Sequence, residues 1–113
     1  MQVTIWHNPA CSNSRGALTL IRDAGFDPQV VDYLGTPPDA ATLRTVLADA
    51  GLRPVELMRT KEAAFAELGL ANASDDALVE AMAAHPRLIN RPVVITDKGT
   101  RLCRPPETVL EIL

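Results

Sequence analysis

The order of its opening elements constrains this chain more than any other feature. "VTIW" (3–6) is a short β-type run with the character of a buried strand. Residues 11–24 follow with Ala17, Leu18, Leu20, Ile21 and Ala24 on a helical stripe, and Gly25 stands where the stripe stops. "QVVDYL" (29–34) reads as a second strand. Two strands of one sheet joined by a helical crossover run parallel, so the chain opens as a βαβ unit.

A different alternation follows. "GTPPD" is a loop, and Asp39 is placed to cap a helix that runs to residue 50 and stops at Gly51. A further helical pattern covers residues 54–68. Another starts at Ser74, carries Asp75 and Asp76 in its first turn where the helix dipole favours them, and ends before Pro86. "PVVIT" and "TRLCR" then flank the turn "DKG", an antiparallel hairpin signal. "PPETVLEIL" opens on prolines and reads as a terminal helix. The expected order is βαβ, a helical insert, then ββα. That is an α/β fold with one mixed four-stranded sheet and helices on its faces.

At 113 residues the chain is one domain's worth, expected to span 1–113 without repeat or linker. A net charge of -3 argues against a broad nucleic-acid or anionic-membrane footprint, so any basic site must be a local convergence of side chains. No apolar run reaches membrane-spanning length, and no leader-like segment opens the sequence. Two cysteines, Cys11 and Cys103, are too few for a disulfide framework. With two histidines at unrelated spacings they make a structural zinc site improbable. The expected compartment is the reducing cytoplasm, where an exposed cysteine tends to be catalytic or redox-active.

The strand-to-helix turn "HNPACSNSRG" carries the chemistry. Backbone N–H groups at a helix start point at what lies before them, and the dipole adds roughly half a positive charge. Both favour a thiolate at Cys11 and an oxyanion beside it. An ordinary cysteine is only ~3% thiolate at pH 7, and lowering its pKa by about two units, roughly 2.7 kcal/mol, makes the anion the major form. His7 and Arg15 are expected to add cationic support, and Ser14 to donate its hydroxyl to the sulfur. The CxxS spacing excludes a local CxxC disulfide cycle, so reduction must come from an outside thiol or a distant cysteine.

Taken jointly, "HNPACSNSR", "YLGTPP", "LMRTKE", "LINRPVVIT" and "RLCRPPETVLEIL" resemble the glutaredoxin-dependent arsenate reductase family, in the right order and over nearly the whole chain. The resemblance implies a thioredoxin-like fold with an inserted helical segment. It implies Cys11 as the nucleophile and Arg59, Arg91 and Arg104 as the triad that holds the oxyanion. Arg59 is expected on a helix, Arg91 at the opening of a strand and Arg104 at the end of one. Pro92 matches the cis-proline of that fold. Arsenate is then the substrate, with glutathione and glutaredoxin as external reductants and no metal or organic cofactor.

Two alternatives stand beside this reading. One is another thiol-dependent reduction on the same scaffold. The other is a Spx-like redox regulator of transcription, whose members usually carry CxxC where this chain has "CSNS". Cys103, Met58, Met82, Trp6 and Phe65 are read as packing, His85 as a helix-end residue, and Arg53, Arg87 and Arg101 as solvated charges.

Overall fold

A computed structural model describes all residues, 1–113, and divides them into two compact units: residues 1–36 with 91–113, and residues 37–90. In the first, β1 (Thr4–Trp6), β2 (Gln29–Val31), β3 (Val93–Thr96) and β4 (Gly99–Leu102) form one sheet in the order β2-β1-β3-β4. β1 and β2 are parallel, with Ile5 beside Val30; β3 is antiparallel to both β1 and β4, with Val94 between Ile5 and Arg101. This mixed sheet with a βαβ opening and a ββ return is the thioredoxin-like arrangement.

Helix α1 (Ser12–Asp23) lies between β1 and β2 in the chain and buries Ser14, Ala17 and Ile21, the one-face spacing of a helix. Its end is closed by Gly25 at φ 92, with Gly25 N–H donating to Arg22 O and Phe26 N–H to Ile21 O. That is a Schellman closure, and it needs the positive φ that glycine adopts without strain. Ala17 and Ile21 pack with Val3, Ile5, Val94, Cys103, Val109 and Ile112 in one apolar cluster, which Leu18, Leu20, Phe26 and Leu113 flank.

The C-terminal residues contribute to that cluster as a 3-10 helix, Pro106–Glu111, rather than the α-helix expected. The bonds Thr108 N–H to Pro105 O and Ile112 N–H to Val109 O are three-residue closures. A Cβ on Gly16 would stand 3.2 Å from Pro106 Cγ, so glycine is what lets α1 approach this close.

In the second unit, α2 (Ala40–Ala50) starts under the Asp39 cap, whose carboxylate accepts from Thr42 N–H, and ends at left-handed Gly51. Helix α3 (Ala63–Glu67) is short, and α4 (Asp75–Ala84) starts with Ser74 Oγ accepting from Ala77 N–H. The single helix expected over 54–68 is absent. A 3-10 turn, Pro54–Leu57, gives way to extended Met58, which pairs with Ile89. Arg59 N–H donates to Leu88 O and Asn90 N–H to Leu57 O, and these distant partners take the backbone groups a helix would have used. Arg59 therefore follows a strand-like bridge and does not sit on a helix. β2 is also shorter than expected, since Asp32 turns the chain by accepting Gly35 N–H on its carboxylate and Thr36 N–H on its carbonyl. No helix is long and apolar enough to cross a membrane.

Candidate active site

Strand polarity assembles the site. β3 is antiparallel to β1 and β4, so β3 begins where β1 and β4 end. The loop after β1 carries His7 to Cys11, the residues before β3 are Arg91 and Pro92, and those after β4 are Cys103 and Arg104. Cys103 N–H donates to Pro92 O at 2.9 Å, which extends the hairpin ladder by one bond and sets Arg91 opposite Arg104. The peptide bonds Arg91–Pro92 and Arg104–Pro105 are both cis, the second without any prior expectation from the sequence.

Cys11 occupies the position before α1 in extended conformation, and the residue is 7% exposed. Burial pushes its thiol pKa up. The backbone N–H of Ser14, the charge of Arg91, the backbone N–H of Asn13 and a contact from Arg104 together outweigh that, and hold it below the ordinary cysteine value. Arg104 Nη1 stands 3.7 Å from Cys11 Sγ and donates to Arg91 O at 2.9 Å. The first turn of α1 holds no acidic side chain, so nothing else neutralises the positive end of its dipole.

The remaining site expectations are corrected. Ser14 does not put its hydroxyl on the sulfur. The side chain is buried, Oγ accepts from Asn8 N–H at 3.0 Å and shares a 2.6 Å bond with His7 Nδ1. Its backbone N–H is the group that favours the thiolate. His7 supplies no positive charge. Partial burial, then repulsion from Arg22 and Arg15, lowers its pKa below the ordinary histidine value, so the ring is neutral at pH 7. Arg15 turns to Pro9 O at 2.8 Å. The cations acting on Cys11 are Arg91 and Arg104, both distant in sequence.

Arg59 belongs to the other unit, where Nη1 lies 3.3 Å from Glu62 Oε2 and donates to Arg87 O at 3.4 Å. The second Glu62 oxygen takes Arg87 Nη2 at 2.8 Å, so Arg87 is exposed as expected and also ion-paired. Sequence reasoning missed two residues. Glu62 holds two guanidinium groups, and Asn13 stands beside Arg104: in the orientation that satisfies both groups, its amide oxygen accepts from Nη1 and Nη2 at 3.2 Å each. The polar first turn "SNS" was the available signal for the second. Phe65, expected in the core, is only half-buried.

A lone cysteine at a helix start, its thiol pKa lowered by two N–H groups and two guanidinium groups on a thioredoxin-like sheet, is a site suited to an anion and to chemistry through one sulfur. The chain belongs to the ArsC family, whose pattern it matches over residues 6–112. It is 54% identical to an arsenate reductase of Rhizobium meliloti, covering 100% of this chain and 82% of that protein. It is 50% identical to an arsenate reductase of Escherichia coli, over 98% of this chain and 80% of that one. The solved structure of an arsenate reductase from Vibrio cholerae superposes with a TM-score of 0.95 at 48% identity, covering 100% of this chain and 98% of that one.

Proposed function

We propose that this chain reduces arsenate to arsenite, with Cys11 as nucleophile and glutathione and glutaredoxin as the source of electrons. The observation that carries the reading is the Cys11 sulfur at the start of α1, 3.7 Å from Arg104 Nη1, with the charge of Arg91 and the N–H groups of Ser14 and Asn13 also lowering its thiol pKa. Guanidinium forks present paired N–H donors that suit a tetrahedral oxyanion, and the N–H groups of Asn13 and Ser14 act on the same sulfur. Arg59 is the third donor of this proposed triad, assigned by the family resemblance.

In the first step Cys11 Sγ forms a bond to arsenic(V) and one oxygen leaves as water after taking up a proton. A glutathione thiolate then displaces a second oxygen, which also takes up a proton and leaves as water. A glutaredoxin thiolate attacks the glutathione sulfur, the S–As bond breaks, and its electron pair passes to arsenic. The products are a glutathione–glutaredoxin disulfide and arsenic(III), which water releases from Cys11 as arsenite. The two electrons come from the two external thiols, so no metal or organic cofactor enters. The reading places the protein in the cytoplasm, where such thiols are kept reduced.

The test is arsenate-dependent NADPH oxidation coupled through glutathione, glutaredoxin and glutathione reductase. The wild-type chain is expected to support it and Cys11→Ser to abolish it. An inactive wild-type protein whose Cys11 is alkylated normally would overturn the assignment and favour another thiol-dependent reduction. Co-purification with RNA polymerase, without protection of Cys11 by oxyanions, would favour a regulator.

A further inference from the structure

Arg104 is an exposed residue, yet its guanidinium has a defined set of partners. Nη1 donates to Arg91 O at 2.9 Å and lies 3.7 Å from Cys11 Sγ. In the amide orientation that satisfies both groups, the Asn13 oxygen accepts from Nη1 and Nη2 at 3.2 Å each, and so occupies the end-on edge of the planar fork. The side edge, Nε–H with the second Nη2–H, is the other bidentate face of the same group. Asn13 is held in turn by the first turn of α1, the turn whose N–H groups act on the sulfur.

We propose that Asn13 is a positioning residue for Arg104: by taking the end-on edge it fixes Nη1 at the Cys11 sulfur and turns the side edge outward as the fork for an incoming oxyanion. This rests on the proposed oxyanion chemistry of the site and adds a group to it that the triad reading does not contain. A flexible arginine on the surface samples many rotamers, and ordering one costs free energy each time an anion binds. An acceptor already placed on one edge removes that cost in advance. An amide suits the position because a carboxylate there would set a negative charge beside the thiolate and the oxyanion alike.

The experiment is iodoacetamide alkylation of Cys11 across pH, with and without inorganic phosphate, in wild type, Asn13→Ala, Arg104→Ala and the double variant. Asn13→Ala is expected to move the alkylation midpoint upward and to weaken phosphate protection by about 3- to 10-fold, less than Arg104→Ala does. In the Arg104→Ala background the same substitution is expected to change neither quantity, because its route to the sulfur is gone. An Asn13→Ala variant indistinguishable from wild type would overturn the proposal. So would an equal effect in both backgrounds, which would make Asn13 a direct contact or a helix-stability residue. The readout uses no arsenate turnover, so failure of the coupled assay would remove the proposed substrate and leave this result to be judged alone.

Discussion

The two cysteines are the same side chain, both shielded from water, and they behave in opposite ways. Cys11 is 7% exposed and Cys103 fully buried. Cys103 closes β4 against Val3, Ile5, Val94 and Val109, with Arg101 O as a weak acceptor 3.7 Å from its sulfur. Burial, then the charge of Glu111, push its thiol up to about 12, against a smaller opposing effect of Arg101. At Cys11 burial acts in the same direction and is overcome by two N–H groups and two guanidinium groups. Burial alone makes an inert thiol. Directed donors make a nucleophile.

The largest expected effect follows from that contrast. At pH 7.5 iodoacetamide should label Cys11 at least about 1000-fold faster than Cys103, because reaction follows the thiolate fraction and access. Site-resolved mass spectrometry checks this, and comparable labelling of native Cys103 would break the comparison. Cys11→Ser should lose arsenate turnover entirely, while Cys103→Ala keeps most of it. A folded but inactive Cys103→Ala would replace the external-thiol scheme with an internal relay.

Next come the guanidinium groups that separate the two sulfurs. Arg91→Ala and Arg104→Ala should each lower kcat/KM for arsenate by about 10- to 1000-fold, roughly 1.4–4 kcal/mol of lost charge-assisted bonding. Lysine at either position should rescue in part, keeping the charge and losing the fork. Both alanine variants should also slow alkylation of Cys11 near neutral pH and leave Cys103 unaffected.

The thiols also differ in how they couple to stability. Cys103 has a raised folded pKa, so its contribution is complete below the unfolded value of about 8.5 and is lost as pH rises above it, by about 1.4 kcal/mol per pH unit. Cys11 has a lowered folded pKa, so its contribution is complete above the unfolded value and is lost as pH falls through the folded one. Urea unfolding of wild type against Cys103→Ala should show the difference shrinking between about pH 9 and 11. A constant difference over that range would mean that Cys103 is hydrated.

How much of this was legible beforehand depends on the range of the interaction. Asp39 and Ser74 start their helices, and Gly51 and Gly25 end theirs, through bonds to residues within a few positions that the sequence makes legible. Met58 and Arg59 do not form a helix because Leu88 and Asn90, some thirty residues on, take the N–H of Arg59 and the carbonyl of Leu57. No periodicity reports that. At the site, the cysteine is announced by its turn, while Arg91 and Arg104 became readable through the family pattern. Nearby His7 and Arg15 were the natural candidates from sequence proximity. The fold instead brings the effective cations from residues 91 and 104.

The smallest expected effect tests that last point. His7 lies in the same loop as Cys11, and as a cation it would be a further reason for the thiolate. Its ring is neutral at pH 7, and its bond is to Ser14 Oγ, so it acts on the position of α1's first turn rather than on the charge beside the sulfur. His7→Ala should therefore move the Cys11 alkylation midpoint by less than about 0.5 unit, well short of the Arg104→Ala shift. The wild-type profile should also show no second inflection near pH 6.5–7, the range of an ordinary histidine. An inflection there that disappears in His7→Ala would restore a histidine cation to the site. The contrast between the two cysteines would then owe part of its size to a titrating neighbour, and the thiolate would weaken as that neighbour loses its proton. Without the inflection, the difference between the two cysteines rests on the N–H groups of Asn13 and Ser14 and on the guanidinium groups of Arg91 and Arg104, not on a titrating neighbour.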